Sequence, residues 1–197
     1  LDGVVSAAGF LVKRELDYFE KAVTTPSRPV VAIVGGAKVT DKIKIIENLV
    51  KKVDKIIIGG AMAFPFLAVH GYGVGKATVD ENVAMKVLMI NQLAKERGVK
   101  IYLPVDFVAA EKFDGNAETK LVTFQEVPDD WFALDIGPAS TKLFSEAMQN
   151  AKTILWNGPM GAFEIDAFSR GTYSMVESVV TAYALTIVGG GDTDLAF

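Results

Sequence analysis

The sequence contains no cysteine and a single histidine, His70. The first absence excludes a disulfide framework, thiolate metal ligation and a cysteine nucleophile. The second excludes a histidine-rich zinc site and leaves a serine–histidine triad only one possible base. Positive charge is also scarce. Lys and Arg number 20 against 24 Asp and Glu, a net charge of -4, which argues against the broad basic surface that non-specific nucleic-acid binding needs. No run of about 18 apolar residues occurs, so neither a transmembrane helix nor a membrane partner is expected. No charged start followed by an apolar run opens the chain, so nothing indicates secretion. What is abundant is core material: half of the 197 residues are hydrophobic, enough for one globular domain and too many for a disordered chain. The chain begins at Leu1 rather than Met and stops at Leu195-Ala196-Phe197, directly after a glycine-rich turn. A fragment of a longer protein is expected.

Hydrophobic spacing organises the chain. Val12, Leu16, Phe19 and Val23 fall on one face of a helix expected over Leu11–Val23, which Thr25, Pro26, Ser27 and Pro29 then break. From Val30 onward, apolar runs alternate with helical patterns. Strands are expected at Val30–Val34, Ile56–Ile58, Lys100–Val105, Thr153–Trp156 and Leu185–Val188. Helices are expected at Asp41–Val53, Ala61–Val69, Glu81–Arg97, Ser140–Ala151 and Phe168–Tyr183. Asp80 can cap the third of these and Gly98 can end it. The stretch Ala109–Trp131 is more polar and reads as an excursion with short strand-like pieces, such as Lys120–Phe124. The strands lack period-2 alternation, as strands covered on both faces do. The expected fold is therefore α/β: a doubly wound, mostly parallel sheet flanked by helices in a Rossmann-like three-layer arrangement. One junction is anomalous. Between Tyr183 and Leu185 no Gly, Pro, Asn or Asp is available for the reversal, so either the turn is unusually tight or residues are absent there.

Four of the strands end in small residues: Gly35-Gly36-Ala37, Gly59-Gly60-Ala61, Asn157-Gly158-Pro159 and Gly189-Gly190-Gly191. Ligands of open α/β sheets bind beyond the carboxyl ends of strands. Without Cβ atoms, backbone N–H groups there can approach an anion or a flat ring, and a following helix adds a favourable dipole. One such turn is explained by tight βα geometry alone; four in one sheet favour a phosphate or nucleotide site. Standard fingerprints fail. In Gly71–Ala77 the first glycine of a Walker A loop is replaced by His70 and its Ser/Thr by Ala77, and Gly189 and Gly191 are followed by Asp194 rather than the last glycine of G-x-G-x-x-G.

Lys38 and Lys42 are four apart after Gly35-Gly36-Ala37, which places both ammonium groups on one face at a helix start. That arrangement suits a polyphosphate, against the alternative of two solvated lysines. Asp192, directly after three glycines, can hold Mg²⁺ or simply cap the next helix. Glu164 can accept from ribose hydroxyls or be an ordinary surface acid. His70 reads as a surface or packing residue, and Trp131 and Trp156 as core.

Taken in order, the motifs resemble the C-terminal, nucleotide-binding domain of the phosphoglycerate kinases. They are Gly9-Phe10-Leu11 with the following helix; Val34-Gly35-Gly36-Ala37-Lys38-Val39-Thr40-Asp41-Lys42-Ile43; Ile58-Gly59-Gly60-Ala61-Met62-Ala63-Phe64; Leu103-Pro104-Val105-Asp106; Leu134-Asp135-Ile136-Gly137-Pro138; Trp156-Asn157-Gly158-Pro159-Met160-Gly161 with Phe163-Glu164; and Gly189-Gly190-Gly191-Asp192-Thr193. The resemblance implies reversible phosphoryl transfer between 1,3-bisphosphoglycerate and ADP, giving 3-phosphoglycerate and MgATP, in a cytoplasmic monomer. It implies that residues 1–24 are an interdomain linker and helix, and that residues 25–197 are the nucleotide domain, incomplete at its C-terminal end. It further implies that Lys42 stabilises the moving phosphoryl group and that Lys38 lies on the nucleotide phosphates. Gly36, Ala37, Gly60 and Ala61 would wall the adenosine, with Ala133 and Leu134 at the base, Asn157 and Pro159 along the nucleotide and Glu164 on the ribose. Asp192 would serve Mg²⁺, while Gly190, Gly191 and Thr193 offer N–H groups to phosphate.

The sequence departs from that family in several places. The family often has Gly where Ala133 stands, a change a backbone contact survives. The turn before Leu185 is shorter than the family's. The N-terminal substrate domain and a second glycine-rich loop, placed by the family after Phe197, are absent. The only arginines are Arg14, Arg28, Arg97 and Arg170, too few for the basic patch that holds phosphoglycerate. The isolated chain is therefore expected to bind nucleotide weakly and turn over poorly. The competing readings are a non-catalytic nucleotide-binding or folding module and, weakened by the missing fingerprint, an NAD-dependent oxidoreductase domain.

Overall fold

The computed structural model describes residues 25–190 together with Thr193 and Ala196; the helix expected over Leu11–Val23 lies outside them. Five strands form a parallel sheet: β1 (Val30–Val34), β2 (Lys55–Ile58), β3 (Lys100–Tyr102), β7 (Thr153–Asn157) and β8 (Leu185–Gly189), in the order β3-β2-β1-β7-β8. Alternate residues of the strands feed two separate cores, as the pleat dictates. Val30, Ala32, Val34, Ile56 and Ile58 pack with α1 (Val39–Leu49), α2 (Ala63–Val69) and α3 (Glu81–Arg97). Val31, Ile33, Ile57, Ile154 and Trp156 pack on the other face with α4 (Pro138–Met148) and α5 (Arg170–Thr181). Both faces of the central strands are thus covered, which is why no polar alternation marks them. Each fully buried Ile or Val contributes roughly 1.5–3 kcal/mol. Trp131 and Trp156 are buried and His70 is exposed at the end of α2, all as expected.

α3 has the ends its sequence advertises. The Asp80 side chain accepts from the N–H groups of Asn82 (2.8 Å) and Val83 (3.2 Å), and Gly98 closes the helix at φ +69°. Asp80→Ala is expected to lower stability by about 1 kcal/mol, seen as a shifted urea midpoint with an unchanged m-value. The other helices start or stop two to four residues from expectation. α1 gives way to turns after Leu49, and a short 3₁₀ turn, Asp166–Phe168, precedes α5.

Two expectations need correction. The strand read over Lys100–Val105 ends at Tyr102; Pro104, which has no N–H to donate, lies in the break. Asp106 then opens a strand of a second sheet. This sheet is antiparallel, with β4 (Asp106–Ala110), β5 (Thr119–Thr123) and β6 (Phe132–Ile136) in the order β5-β4-β6 and a bulge between Val108 and Ala109. Its strands take in Ala109, Ala110 and Thr119–Thr123 of the stretch read as a polar excursion. The anomalous reversal before Leu185 is a tight turn. Ala182 leaves α5 in an extended conformation, Tyr183 is fully exposed, and the Leu185 N–H donates to the Lys152 carbonyl at 2.9 Å. No residue there needs a positive φ.

The small sheet is fastened to the large one by a buried acid. Asp106 Oδ2 accepts from the Ala139 N–H (2.9 Å), and Oδ1 accepts from the Ser140 N–H (2.7 Å) and hydroxyl (2.5 Å). This carboxylate therefore supplies the acceptors missing at the head of α4, whose N-cap Gly137 has no side chain. A methyl group on Gly137 would overlap the carboxylate.

Candidate functional site

From β1 the chain moves to β2 and β3 on one side of the sheet; β7 and β8 lie on the other. The β1–β7 boundary is thus the topological switch point, where open α/β sheets place ligands. The backbone there is tied across strands. The Gly35 N–H donates to Asn157 O (2.9 Å), the Gly36 N–H to Pro159 O (2.8 Å) and the Gly60 N–H to Met160 O (3.1 Å). Gly158 adopts φ +96°, and a side chain on it would run into the Gly35 carbonyl. Only glycine allows the ends of β1 and β7 to approach this closely.

Above these turns lies a cavity of about 630 Å³, within the range of small-molecule sites. Eight of the residues picked out by sequence meet on its walls: Gly36 and Ala37, Gly60 and Ala61, Ala133 and Leu134 from β6, and Pro159 and Glu164 from the loop after β7. Sequence reasoning missed the aromatic part of the lining, Phe64, Phe107, Phe113, Phe132 and Phe163, as well as Asp135. The slot is apolar with few polar groups, a surface suited to a flat ring. Among the described residues, no group of three or more His, Cys, Asp or Glu could hold a metal.

The remaining expected residues among those described are not on its walls. Lys42 lies in the first turn of α1, half-buried, and its Nζ donates to the Gly35 carbonyl at 2.8 Å. A methyl on Gly36 would stand 3.0 Å from that Nζ, so the ammonium sits against the glycine turn at the strand ends. Lys38 is the N-cap of α1 and is exposed. Asn157 Nδ2 donates to Gly189 O (2.8 Å), joining the ends of β7 and β8. Thr193 is fully buried; its hydroxyl accepts from the Gly158 N–H (2.7 Å). Its own N–H donates to Gly190 O (2.9 Å), so the expectation of an N–H offered to phosphate is not met at Thr193. Gly191 and Asp192, and with them the expected metal ligand, lie outside the described residues.

Asp135 is electrostatically the most unusual group at the site. Its Oδ2 accepts from the Gly171 N–H (2.7 Å) and its Oδ1 from the Ile136 N–H (2.9 Å). Burial nonetheless outweighs these two donors and pushes its carboxyl up to about 7. The only sequence signal for this was a carboxylate between buried apolar neighbours, Leu134 and Ile136. Between the ordinary value of 3.8 and about 7, the folded protein keeps a proton that the unfolded chain has released. This group therefore favours the fold most below pH 4 and loses that contribution as pH rises to about 7. Asp135→Asn is expected to flatten this part of the stability profile, measured as the difference in denaturation midpoints between wild type and variant across pH 4–7.

The sequence pattern of the family described as Phosphoglycerate kinase matches residues 2–197. The chain is 62% identical over 192 residues to the phosphoglycerate kinase of Geobacter metallireducens, covering 98% of this chain and 48% of that protein. It is 61% identical to that of Geotalea uraniireducens over the same shares. The structure of phosphoglycerate kinase from Coxiella burnetii superposes with a TM-score of 0.90 at 38% identity, over 96% of this chain and 49% of that one. The chain spans about half the length of the relatives it matches. With a matched pattern running nearly end to end and a shared parallel-sheet fold, the chain belongs to the phosphoglycerate kinase family.

Proposed function

We propose that this chain is the nucleotide-holding half of a phosphoglycerate kinase, which transfers a phosphoryl group reversibly between 1,3-bisphosphoglycerate and ADP. The observation that carries the reading is the cavity at the switch point, walled by Gly36-Ala37, Gly60-Ala61 and Leu134, with the Lys42 ammonium at the neighbouring strand ends. In this reading the base lies in the aromatic and apolar slot, Glu164 meets the ribose, and the phosphates run toward Lys42 and Lys38 past Asn157, Pro159, Gly190 and Gly191. Phosphoryl transfer asks the protein chiefly for positioning and charge neutralisation, which backbone N–H groups and two lysines can supply. Asp192 would be the residue to hold a Mg²⁺ carried by the nucleotide, which would supply neutralisation of phosphate charge.

Residues 25–197 would then be the nucleotide domain and residues 1–24 the connection to a substrate domain that holds the phosphoglycerate. The whole protein is proposed to act as a cytoplasmic monomer without nucleic-acid or membrane partners; no helix among the described residues is long and apolar enough to cross a membrane. The test is to mix this chain with a separately produced substrate domain and supply 1,3-bisphosphoglycerate and MgADP. ATP formation that requires both pieces is expected. No ATP from the mixture or from the whole protein sinks the kinase reading and leaves a non-catalytic nucleotide module. Calorimetry showing a preference for NADH over MgADP would instead revive the oxidoreductase reading.

A further inference from the structure

The chain has no cysteine, so its oxidisable sulfur is that of six methionines. Burial divides them with no intermediate case. Met62, Met148, Met160 and Met175 are at most 1% exposed, whereas Met85 and Met89 are 63% and 68% exposed. Met62 lies in the core against α1, α2 and α3, and Met148, Met160 and Met175 lie in the core on the other face. The sulfur of Met160 sits against a glycine turn of the site: a methyl on Gly59 would overlap its Sδ. An oxygen added there has no room. The exposed pair stands four residues apart on α3 and therefore on one face, with the 55% exposed Leu88 beside it. Val83, Val87, Ile90 and Ala94 are the buried residues of the same helix, so the packing of α3 rests on other side chains.

We propose that Met85 and Met89 form an oxidation site: peroxide converts both thioethers to sulfoxides and leaves the four methionines of the interior reduced. In each reaction a sulfur lone pair attacks one oxygen of the peroxide. An S–O bond forms as the O–O bond breaks, and the departing hydroxide takes the proton of the transferred hydroxyl and leaves as water. Sulfur is oxidised by two electrons and the peroxide is reduced by two. Access decides the selectivity, since a buried thioether meets peroxide only when the fold opens. Each sulfoxide replaces an apolar side-chain end with a polar one. Met85, Leu88 and Met89 form an apolar stripe on the surface of α3, so the modification makes most of that stripe polar while the glycine turns stay as they are. Reductases return methionine sulfoxide to the thioether, which makes this a reversible change of surface character. None of it depends on what the cavity binds.

The experiment is hydrogen peroxide treatment of the whole protein, followed by peptide mass mapping, hydrophobic-interaction chromatography and urea unfolding. Wild type is expected to gain one oxygen at Met85 and one at Met89, while Met62, Met148, Met160 and Met175 gain none. Its elution is expected to move earlier by more than that of Met85→Leu/Met89→Leu, which keeps the apolar stripe but has no sulfur in it. The urea midpoint is expected to stay where it was before treatment. Oxidation of the buried four at the pace of the pair overturns the inference, as does a pair that stays reduced. Equal elution shifts in the two proteins also overturn it, as does a midpoint that falls in wild type but not in the variant. The wild-type mass map decides even if the variant does not fold.

Discussion

Lys42→Ala in the whole protein is expected to lower kcat by roughly 100- to 1000-fold, the loss typical of removing one preorganised charge partner of a transition state, with a much smaller change in the KM for nucleotide. Lys42 Nζ rests on the Gly35 carbonyl at the carboxyl end of β1, against Gly36 and Gly158. Lys38 is exposed at the N-cap. A charge aimed at the place where phosphoryl charge spreads during transfer is stronger in the transition state than in the ground state, so its removal falls on kcat. Steady-state kinetics with both substrates varied decides. An unchanged kcat would falsify the role, and equal effects on kcat and on nucleotide affinity would reassign Lys42 to binding.

The second large effect concerns stability. Asp106→Ala is expected to cost about 1–3 kcal/mol, because it leaves the buried Ser140 N–H without an acceptor. Ser140 is fully buried and its N–H has no water to turn to, whereas Ala139 is exposed and the Ser140 hydroxyl keeps the Asp106 carbonyl as an acceptor. Asp106→Asn keeps one acceptor oxygen and should cost less than the alanine variant. Denaturant midpoints with unchanged m-values would measure both. A loss under about 1 kcal/mol, the worth of an ordinary hydrogen bond, would mean that α4 is held by packing of Phe144 and Met148 alone.

The parallel sheet was legible because its strands carry unbroken β-branched runs stopped by glycine. Val30–Val34 is buried at every position, and burial on both faces is what writes such a run. α3 was legible to the residue because Asp80 and Gly98 mark its ends by chemistry rather than by periodicity. The antiparallel sheet was hidden for the opposite reason. β5 exposes Thr119, Lys120, Leu121 and Thr123, leaving Val122 as its one half-buried residue, so no apolar rhythm reports it. β4 follows Pro104 so closely that Asp106 looked like the end of one strand instead of the start of another. At the site, the glycine turns could be found because a glycine pattern is local. The phenylalanines could not: Phe64, Phe107, Phe113, Phe132 and Phe163 come from separate segments, and each alone looks like ordinary core. For Thr193 the resemblance implied an available N–H, whereas that N–H donates to the Gly190 carbonyl.

The division between the two sheets separates what can change from what cannot. The glycine turns are locked between β1 and β7, where a single added methyl collides with backbone. The other wall, from Phe107 to Leu134, is built by a three-stranded appendage fastened to the main body through the Asp106 clasp. Substitutions at Ala133, Phe132 or Phe113 can therefore resize the slot without touching the strand ends beside which the lysine stands. Variation in the shape of the slot has its own territory in the chain, and inheritance or engineering can explore it while the glycine turns are copied unchanged.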